Sequence, residues 1–170
     1  MLIRTAATVL SVVSVFLLLP ACSRRQAERA IERRIEQETG GNADVDIQSD
    51  GAVKVETAEG TYNAGGNRLP EDWPEDAPVY AGAEVQFSGA ANPANGKPGA
   101  AAVLITADSA SDVLTFYKAE LKSKGWTITT TMESQGTTII GATKGARTFS
   151  LMIGSSDAGK TSITIGVGEQ

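Results

Sequence analysis

The feature that most constrains the fold is a two-residue period of apolar side chains that recurs through the C-terminal half of the chain. Phe149, Leu151 and Ile153 occupy every second position within 147–153, and the same period continues in 161–167. Because successive side chains of a strand point to opposite faces, this period predicts strands that bury one face. Many intervening residues are Thr, which is β-branched and suits the solvent side of a sheet.

One helical segment interrupts these strands. Ser109-Ala110-Ser111-Asp112 matches a capping box, and Gly125 supplies a left-handed stop after the helix. For residues 83–170 we therefore predict an α+β domain of order ββαββββ, an antiparallel sheet with one packed helix. The predicted strands cover 83–88, 100–106, 126–133, 137–144, 147–153 and 161–167, and the core face of the helix carries Val113, Leu114, Phe116, Tyr117 and Leu121.

A β-hairpin is predicted over residues 42–66. Ala43, Val45 and Ile47 alternate with polar residues, Ser49-Asp50-Gly51 can turn, and the alternation then resumes over 53–56. A two-stranded hairpin is marginal alone, so we expect it to pack on a neighbouring segment.

Residues 67–82 form a Pro- and acid-rich connector. Three prolines spaced by four residues exclude a helix or a sheet interior, and four carboxylates in 71–76 flank Trp73. Acidic runs are usually solvated, which favours a rigid connector with Trp73 packed on the following domain. The alternative function is a periplasmic lipoprotein that binds a small ligand or a cation through the acidic segment 71–76.

The N-terminal 21 residues have the order of a signal peptide. Arg4 precedes an apolar run over 6–19, which is shorter than the ~20 residues that a membrane span needs. With Ala21-Cys22 at its end, the segment resembles the lipobox of bacterial lipoproteins. The resemblance implies a type II signal peptide, cleavage before Cys22 and a lipid on its sulfur. Ser23 resembles an outer-membrane retention context, so the expected location is the cell envelope, facing the periplasm, with the outer membrane favoured over the inner membrane.

Residues 22–41 are predicted to be a lipid-anchored, charged helix. Arg and Glu recur three and four positions apart through 24–38, and Gly40-Gly41 ends the pattern. The sequence leaves open whether this helix is a stalk at the membrane surface, where Arg24 and Arg25 meet anionic headgroups, or docks on its own domain.

A second resemblance covers residues 70–168. Pro78-Val79-Tyr80-Ala81-Gly82-Ala83, together with a helix that contains Phe116-Tyr117 and closes in Gly125-Trp126, is similar to an uncharacterised extracytoplasmic domain of bacterial lipoproteins. The resemblance implies the α+β fold and supplies no catalytic residue.

Composition excludes several classes of function. The chain has no His and one Cys, which removes Ser-His-Asp and Cys-His catalysis and imidazole-ligated zinc. The net charge is −5, and residues 40–88 carry ten acids against two bases, so no basic field for nucleic acid exists there. We therefore predict no enzyme activity, no catalytic, cofactor-binding or metal-binding residues, and lipidation of Cys22 as the one assigned chemistry.

Residues 154–161 match the phosphate-loop pattern G-x-x-x-x-G-K-T. A working phosphate loop must open a helix, whereas the residues after Thr161 alternate as a strand. We therefore predict a hairpin loop and no nucleotide. The resulting expectation is a non-enzymatic, lipid-anchored envelope protein. It would touch the membrane through Cys22 and contact an envelope protein or cell-wall component through its sheet or acidic segment.

Overall fold

The computed structural model describes residues 33, 34, 37, 43–48, 51–92, 96–156 and 159–169. This part of the chain is mostly antiparallel sheet with one helix, which confirms the α+β class. Its elements are β1 (Ala43–Ile47), β2 (Val53–Thr57), β3 (Gly60–Ala64), β4 (Glu84–Ala91), β5 (Gly99–Thr106), α1 (Ala110–Ser123), β6 (Thr127–Ser134), β7 (Thr137–Lys144), β8 (Arg147–Ser155) and β9 (Thr161–Glu169).

The nine described strands form one sheet with the order β1-β2-β3-β4-β5-β9-β8-β7-β6. Every neighbouring pair is antiparallel. After β5 the chain runs through α1 to the far edge at β6 and returns by hairpins, so that β9 ends beside β5. The helix therefore lies over the half of the sheet built from β5 to β9.

Helix α1 begins and ends at the residues that the sequence indicated. The Ser109 hydroxyl accepts the Asp112 N–H at 3.2 Å and donates to the Asp112 carboxylate at 2.6 Å. At the other end Gly125 has a φ of 81°, a conformation that glycine adopts without steric cost. The Trp126 N–H then bonds to the Leu121 carbonyl at 2.8 Å, which closes the last turn.

The main core lies between α1 and the sheet. Val113, Tyr117 and Leu121 are fully buried, as predicted, while Leu114 and Phe116 are partly buried at the border of the core. The sheet contributes a layer of equally buried apolar side chains: Ala102, Leu104, Ile140, Ala142, Phe149, Leu151, Ile153, Ile163 and Ile165. Burial of these side chains is the main stabilising contribution to the fold.

The strand arrangement differs from the prediction before the helix. A third strand, β3, follows the hairpin and pairs with β4, so five strands precede α1 in one continuous sheet. The expected arrangement of a separate hairpin followed by ββαββββ is therefore not found. Pairing with β3 and β4 gives the marginal hairpin the neighbours that it needs.

The register of β6 also differs from the simple alternation. The alternation placed Ile128 and Met132 on one face, but a β-bulge between Ile128 and Thr130 moves the following side chains to the opposite face. Ile128 packs against the core, whereas Met132 is 58% exposed.

Most of the predicted N-terminal elements lie outside the described residues. This applies to the signal peptide, to Cys22 and to most of the charged helix over 22–41, of which residues 33, 34 and 37 are helical and exposed. Within the described part of the chain, no helix has both the length and the apolar character needed to cross a bilayer.

Candidate functional site on the open face of the sheet

The sheet has a helix face, covered by α1, and an opposite face that we call the open face over β4 to β9. On β1 to β3 this opposite face carries Val45 and Val55, which are buried in a second apolar cluster. The open-face positions of β5 to β9 follow from the cross-strand pairing. No charged residue occupies them, although 21% of the whole chain is charged. They are Gly99, Ala101, Val103, Ile105, Thr127, Thr130, Met132, Ser134, Thr137, Ile139, Gly141, Thr143, Thr148, Ser150, Met152, Gly154, Ser162, Thr164, Gly166 and Gly168.

Large apolar side chains form one line across the open face, which we call the central row. It consists of directly paired residues on six neighbouring strands: Met132, Ile139, Met152, Thr164, Val103 and Phe87. Met132 is 58% exposed, Met152 46%, Ile139 42% and Phe87 36%. These are the large hydrophobic side chains that the described part of the chain leaves exposed.

Beside the central row lies a line of small residues, which we call the small-residue row. Its directly paired members are Thr130, Gly141, Ser150, Gly166, Ala101 and Gly89. The Tyr62 ring covers Gly89, since a Cβ at Gly89 would lie 2.6 Å from a Tyr62 ring carbon. A ridge of apolar side chains therefore runs next to a shallow trough that Tyr62 closes at one end.

Strand β4 places one charged residue on the open face, Glu84, which pairs with Ile105 near the end of β5. The charges of β1 and β2 lie on the other face. On β1 and β2 the carboxylates of Asp44, Asp46 and Glu56 are on the helix-face side, beyond the end of the helix. Lys54 lies on the same side and binds Glu56 at 3.0 Å, and this hydrogen bond raises the pKa of Lys54. On β5 to β9 the arrangement leaves an uncharged surface of Met, Ile, hydroxyl and glycine positions, and Met enrichment with charge depletion is typical of protein-binding surfaces.

The connector packs onto the domain through its tryptophan and its last acid. The Trp73 indole N–H donates to the Ala77 carbonyl at 3.2 Å, and the ring contacts the main core. The Trp126 indole N–H donates to the Asp76 carbonyl at 2.8 Å. The interpretation of Trp73 as packed on the following domain is confirmed.

The Asp76 carboxylate clamps the connector to the β7–β8 hairpin. It accepts Lys144 Nζ at 2.7 Å and Arg147 Nη1 at 2.8 Å. Burial raises the pKa of Asp76, but hydrogen bonds from Lys144 and Arg147 outweigh burial and hold it below its ordinary value of 3.8. The Arg147 guanidinium also lies 5.3 Å from the centre of the Trp126 ring, within cation–π range.

The acidic segment 71–76 does not act as one unit. The Asp76 carboxylate forms salt bridges with Lys144 and Arg147, whereas the side chains of the other three acids, Glu71, Asp72 and Glu75, are exposed. Among the described residues, no three Asp, Glu, Cys or His side chains come close enough together to hold a metal ion. The structure thus brings Asp76 together with Lys144 and Arg147 rather than with the neighbouring carboxylates.

The aromatic residues of the resemblance motif are structural. Tyr117 is fully buried, and its hydroxyl oxygen accepts the Tyr80 N–H at 3.2 Å. Burial raises the pKa of Tyr117 far above its ordinary range, so the phenol remains protonated. The Tyr80 hydroxyl donates to Asp108 at 2.9 Å, and this bond raises the pKa of Tyr80. These contacts fix the connector against α1.

A half-open cavity of about 270 Å³ lies on the helix-face side, between the connector and the sheet. Ala90, Ala100 and Val167 are its buried apolar residues, and Asp72 and Arg147 are among its polar ones. The Arg147 guanidinium is already bound to Asp76. Four polar residues, Asp72, Asn92, Arg147 and Glu169, line this cavity. Because its volume lies below the roughly 300 Å³ at which ligand pockets usually begin, it is a weaker candidate for recognition than the open face.

The segment 154–161 lies in the connection between β8 and β9. These strands are antiparallel, and the pairs Gly154–Ser162 and Ser155–Thr161 flank the loop. A strand rather than a helix follows Thr161, which confirms the predicted hairpin. The loop therefore lacks the helix N-terminus on which a phosphate loop depends.

The sequence predicts the sheet as a possible contact surface but does not indicate the residues of its open face. The Thr positions of the strands are predicted to form the solvent side of the sheet. The available signal was the lack of Lys, Arg, Asp and Glu at the open-face positions of β5 to β9, since a solvated sheet face normally carries charges. Cys22, the one residue to which a modification was assigned, lies outside the described residues.

The comparisons with known proteins give one similarity. A family model described as START domain-like matches residues 86–160, from β4 to the β8–β9 loop, which is less than half of the chain. The antiparallel sheet with one helix is consistent with such an α+β fold. No curated protein and no solved structure is significantly similar to the chain.

Proposed function

We propose that this chain is a lipid-anchored, non-enzymatic protein of the bacterial cell envelope that binds a protein partner through its open face. The observation that carries the proposal is the exposed central row on a face whose positions on β5 to β9 carry no charge. Exposed apolar patches of this kind cost free energy in water and mark interaction sites. The lipid on Cys22 holds the domain on the periplasmic side of a membrane, and the outer membrane is favoured by Ser23.

The helix side of the domain supports a protein partner over a small ligand. Tyr117 and Leu121 are fully buried and Phe149 is 1% exposed, so packed side chains fill the space between α1 and the sheet. A ligand there would have to displace core side chains, at a cost of several kcal/mol. The open face needs no such rearrangement.

The location is tested by labelling cells with an alkyne analogue of palmitate. We expect the full chain to take up the label and to sediment with membranes, and Cys22→Ser to lose the label and to remain unprocessed. If the wild-type chain takes up no label, or if Cys22→Ser is still labelled and processed, the anchor proposal is wrong.

The open face is tested by photo-crosslinking the full chain in intact cells. A photoreactive amino acid replaces Met152 on the open face, and in a matched control it replaces Lys118 on the exposed side of α1. We expect Met152 to give a discrete protein adduct that Lys118 does not give. Equal or absent adducts at both positions, or a carbohydrate adduct at Met152, would refute a protein partner at this face.

A further inference from the structure

We infer that the partner of the open face is a second copy of this chain, joined face to face about a two-fold axis. The inference rests on the proposed function of that face and names its partner. It follows from the shape, the charge and the glycine content of the open face, and each of these is a property of the described residues.

The shape of the open face is complementary to itself. The central row and the small-residue row run side by side across the same strands. On β5 to β9, a two-fold axis that lies between the rows, across the strands, places the central row of each copy over the small-residue row of the other. At β4 the Tyr62 ring already covers Gly89. Ile139 of one copy then lies over Gly141 of the second copy, and Met152 lies over Ser150. Such an isologous contact closes on itself and yields a dimer.

Charge favours contact at this face over contact elsewhere. Each copy has a net charge of −5, so two copies repel one another at long range. Half of the twenty acidic residues lie in 40–88, on the connector and the first strands, whereas the open-face positions of β5 to β9 carry no charge. Contact through the open face therefore buries no charged side chain of β5 to β9, and Glu84 of β4 lies at the end of its strand, at the border of the contact.

The area is sufficient for a stable dimer. Strands β4 to β9 are each eight or nine residues long. At about 4.8 Å between strands and about 3.3 Å per residue, they cover roughly 29 Å by 26 Å, or about 750 Å². Stable protein interfaces bury about 800 Å² per partner.

Gly141 lies opposite the β-bulge of β6, a place where glycine is common, but neither its backbone nor its surroundings in one copy require glycine. Its φ is not positive, so no turn requires glycine there, and glycine weakens the interior of a strand. A Cβ at Gly141 would lie no closer than 3.5 Å to any neighbouring atom, an ordinary contact distance. The missing side chain instead makes room for Ile139 of the second copy, since packed sheets lie only about 10 Å apart.

The inference is tested with two full-length copies that carry different tags in the same cells, one of them with the photoreactive residue at position 152. We expect a crosslinked product that contains both tags, with the attachment mapped to β8 of the second copy. The same probe at Lys118 is the control. If Met152 captures only a different protein, the second-copy inference fails while the proposed function survives. If Met152 captures nothing beyond the Lys118 control, both fail.

Two variants separate the interface from the fold. Met152→Lys should reduce the two-tag product at least tenfold, whereas Ala119→Lys, which adds the same charge on the exposed side of α1, should leave it unchanged. Gly141→Ala should reduce the product at least threefold without lowering the melting temperature of the purified chain. An undiminished product in both open-face variants would overturn the inference.

Discussion

Asp76 offers the most direct test of how the connector is held. In Asp76→Asn the side chain keeps its shape and an acceptor oxygen but loses its charge. Lys144 and Arg147 then keep only a neutral acceptor, although both approach the carboxylate within 2.8 Å in the native protein. The two cations are also left next to one another beside the Trp126 ring.

The size of the effect follows from the exposure of the three groups. The Asp76 side chain is 25% exposed, and those of Arg147 and Lys144 are 30% and 39% exposed. Hydrogen bonds between charged groups contribute about 1.5–3 kcal/mol, but exposed ion pairs contribute less than about 1 kcal/mol. We assign about 1.5 kcal/mol, the lower end of the range for charged hydrogen bonds, to the bond with Arg147. The bond with the more exposed Lys144 is assigned about 0.5 kcal/mol, a value typical of exposed ion pairs. Asp76→Asn should therefore lower the free energy of unfolding by about 2 kcal/mol.

The assay is intrinsic fluorescence during thermal and urea unfolding of the full chain in detergent. Trp73 and Trp126 are the two tryptophans of the chain. Their indole N–H groups donate to the Ala77 and Asp76 carbonyls, so the fluorescence reports directly on how the connector is packed. A loss of about 2 kcal/mol corresponds to a fall of about 4–8 °C in melting temperature. The control is Asp72→Asn, which removes the same charge from an exposed position, and it should stay within about 0.5 kcal/mol of the wild type.

The pH dependence gives a second, independent check. The pKa of Asp76 is lower in the folded than in the unfolded chain, so its contribution is complete above about pH 4 and is lost as the pH falls through the folded-state value. The difference in the free energy of unfolding between wild type and Asp76→Asn should therefore reach its full size at pH 7 and should be smaller at pH 3. If this difference is absent at pH 7, or has the same size at both pH values, the Asp76 carboxylate does not hold the connector through Lys144 and Arg147.

Two further predictions concern the connector. Tyr117→Phe should lower the free energy of unfolding by about 1 kcal/mol, because the Tyr80 N–H loses the hydroxyl that accepts it. The control is Tyr80→Phe, which keeps that N–H bond and removes only the exposed bond to Asp108, and a loss in Tyr117→Phe no larger than in this control would contradict the assignment. Millimolar calcium should change neither the melting temperature nor the tryptophan fluorescence, because Asp76 already binds two cations. A calcium-dependent rise that Glu75→Gln removes would instead support a cation site in 71–76.

The elements with strong local signals were predictable from the sequence. The capping residue Ser109 and the stop at Gly125 bound α1 correctly, and β7 was predicted at its observed limits of Thr137–Lys144. In these segments local propensity and burial point to the same structure, so that the two-residue or helical period is enough. Strand β3 was missed because Gly60 and Asn63 are poor strand formers and are held there by pairing with β2 and β4.

The features missed at the site depend on long-range contacts. Asp76 meets Lys144 and Arg147 across 68 and 71 positions of the chain, a separation that no local pattern can indicate. The bulge in β6 reverses the face of Met132 and thereby adds it to the central row. The lack of charge on the open face of β5 to β9 is visible in the sequence, but it becomes informative only once the strands are known to share one face.

The position of β1 at the edge of the sheet has a mechanical consequence. Any pull that reaches the domain through residues before Ala43 acts first on β1, which is paired on one side with β2. The pull would start at the Ala43–Thr57 pair and break the hydrogen bonds of this ladder one after another. Strand β5, bonded on both sides and under the helix, would bear load only after four strands had peeled away. A protein tethered at its N-terminus would thus lengthen in steps under tension, while the half of the sheet that carries the central row stayed folded.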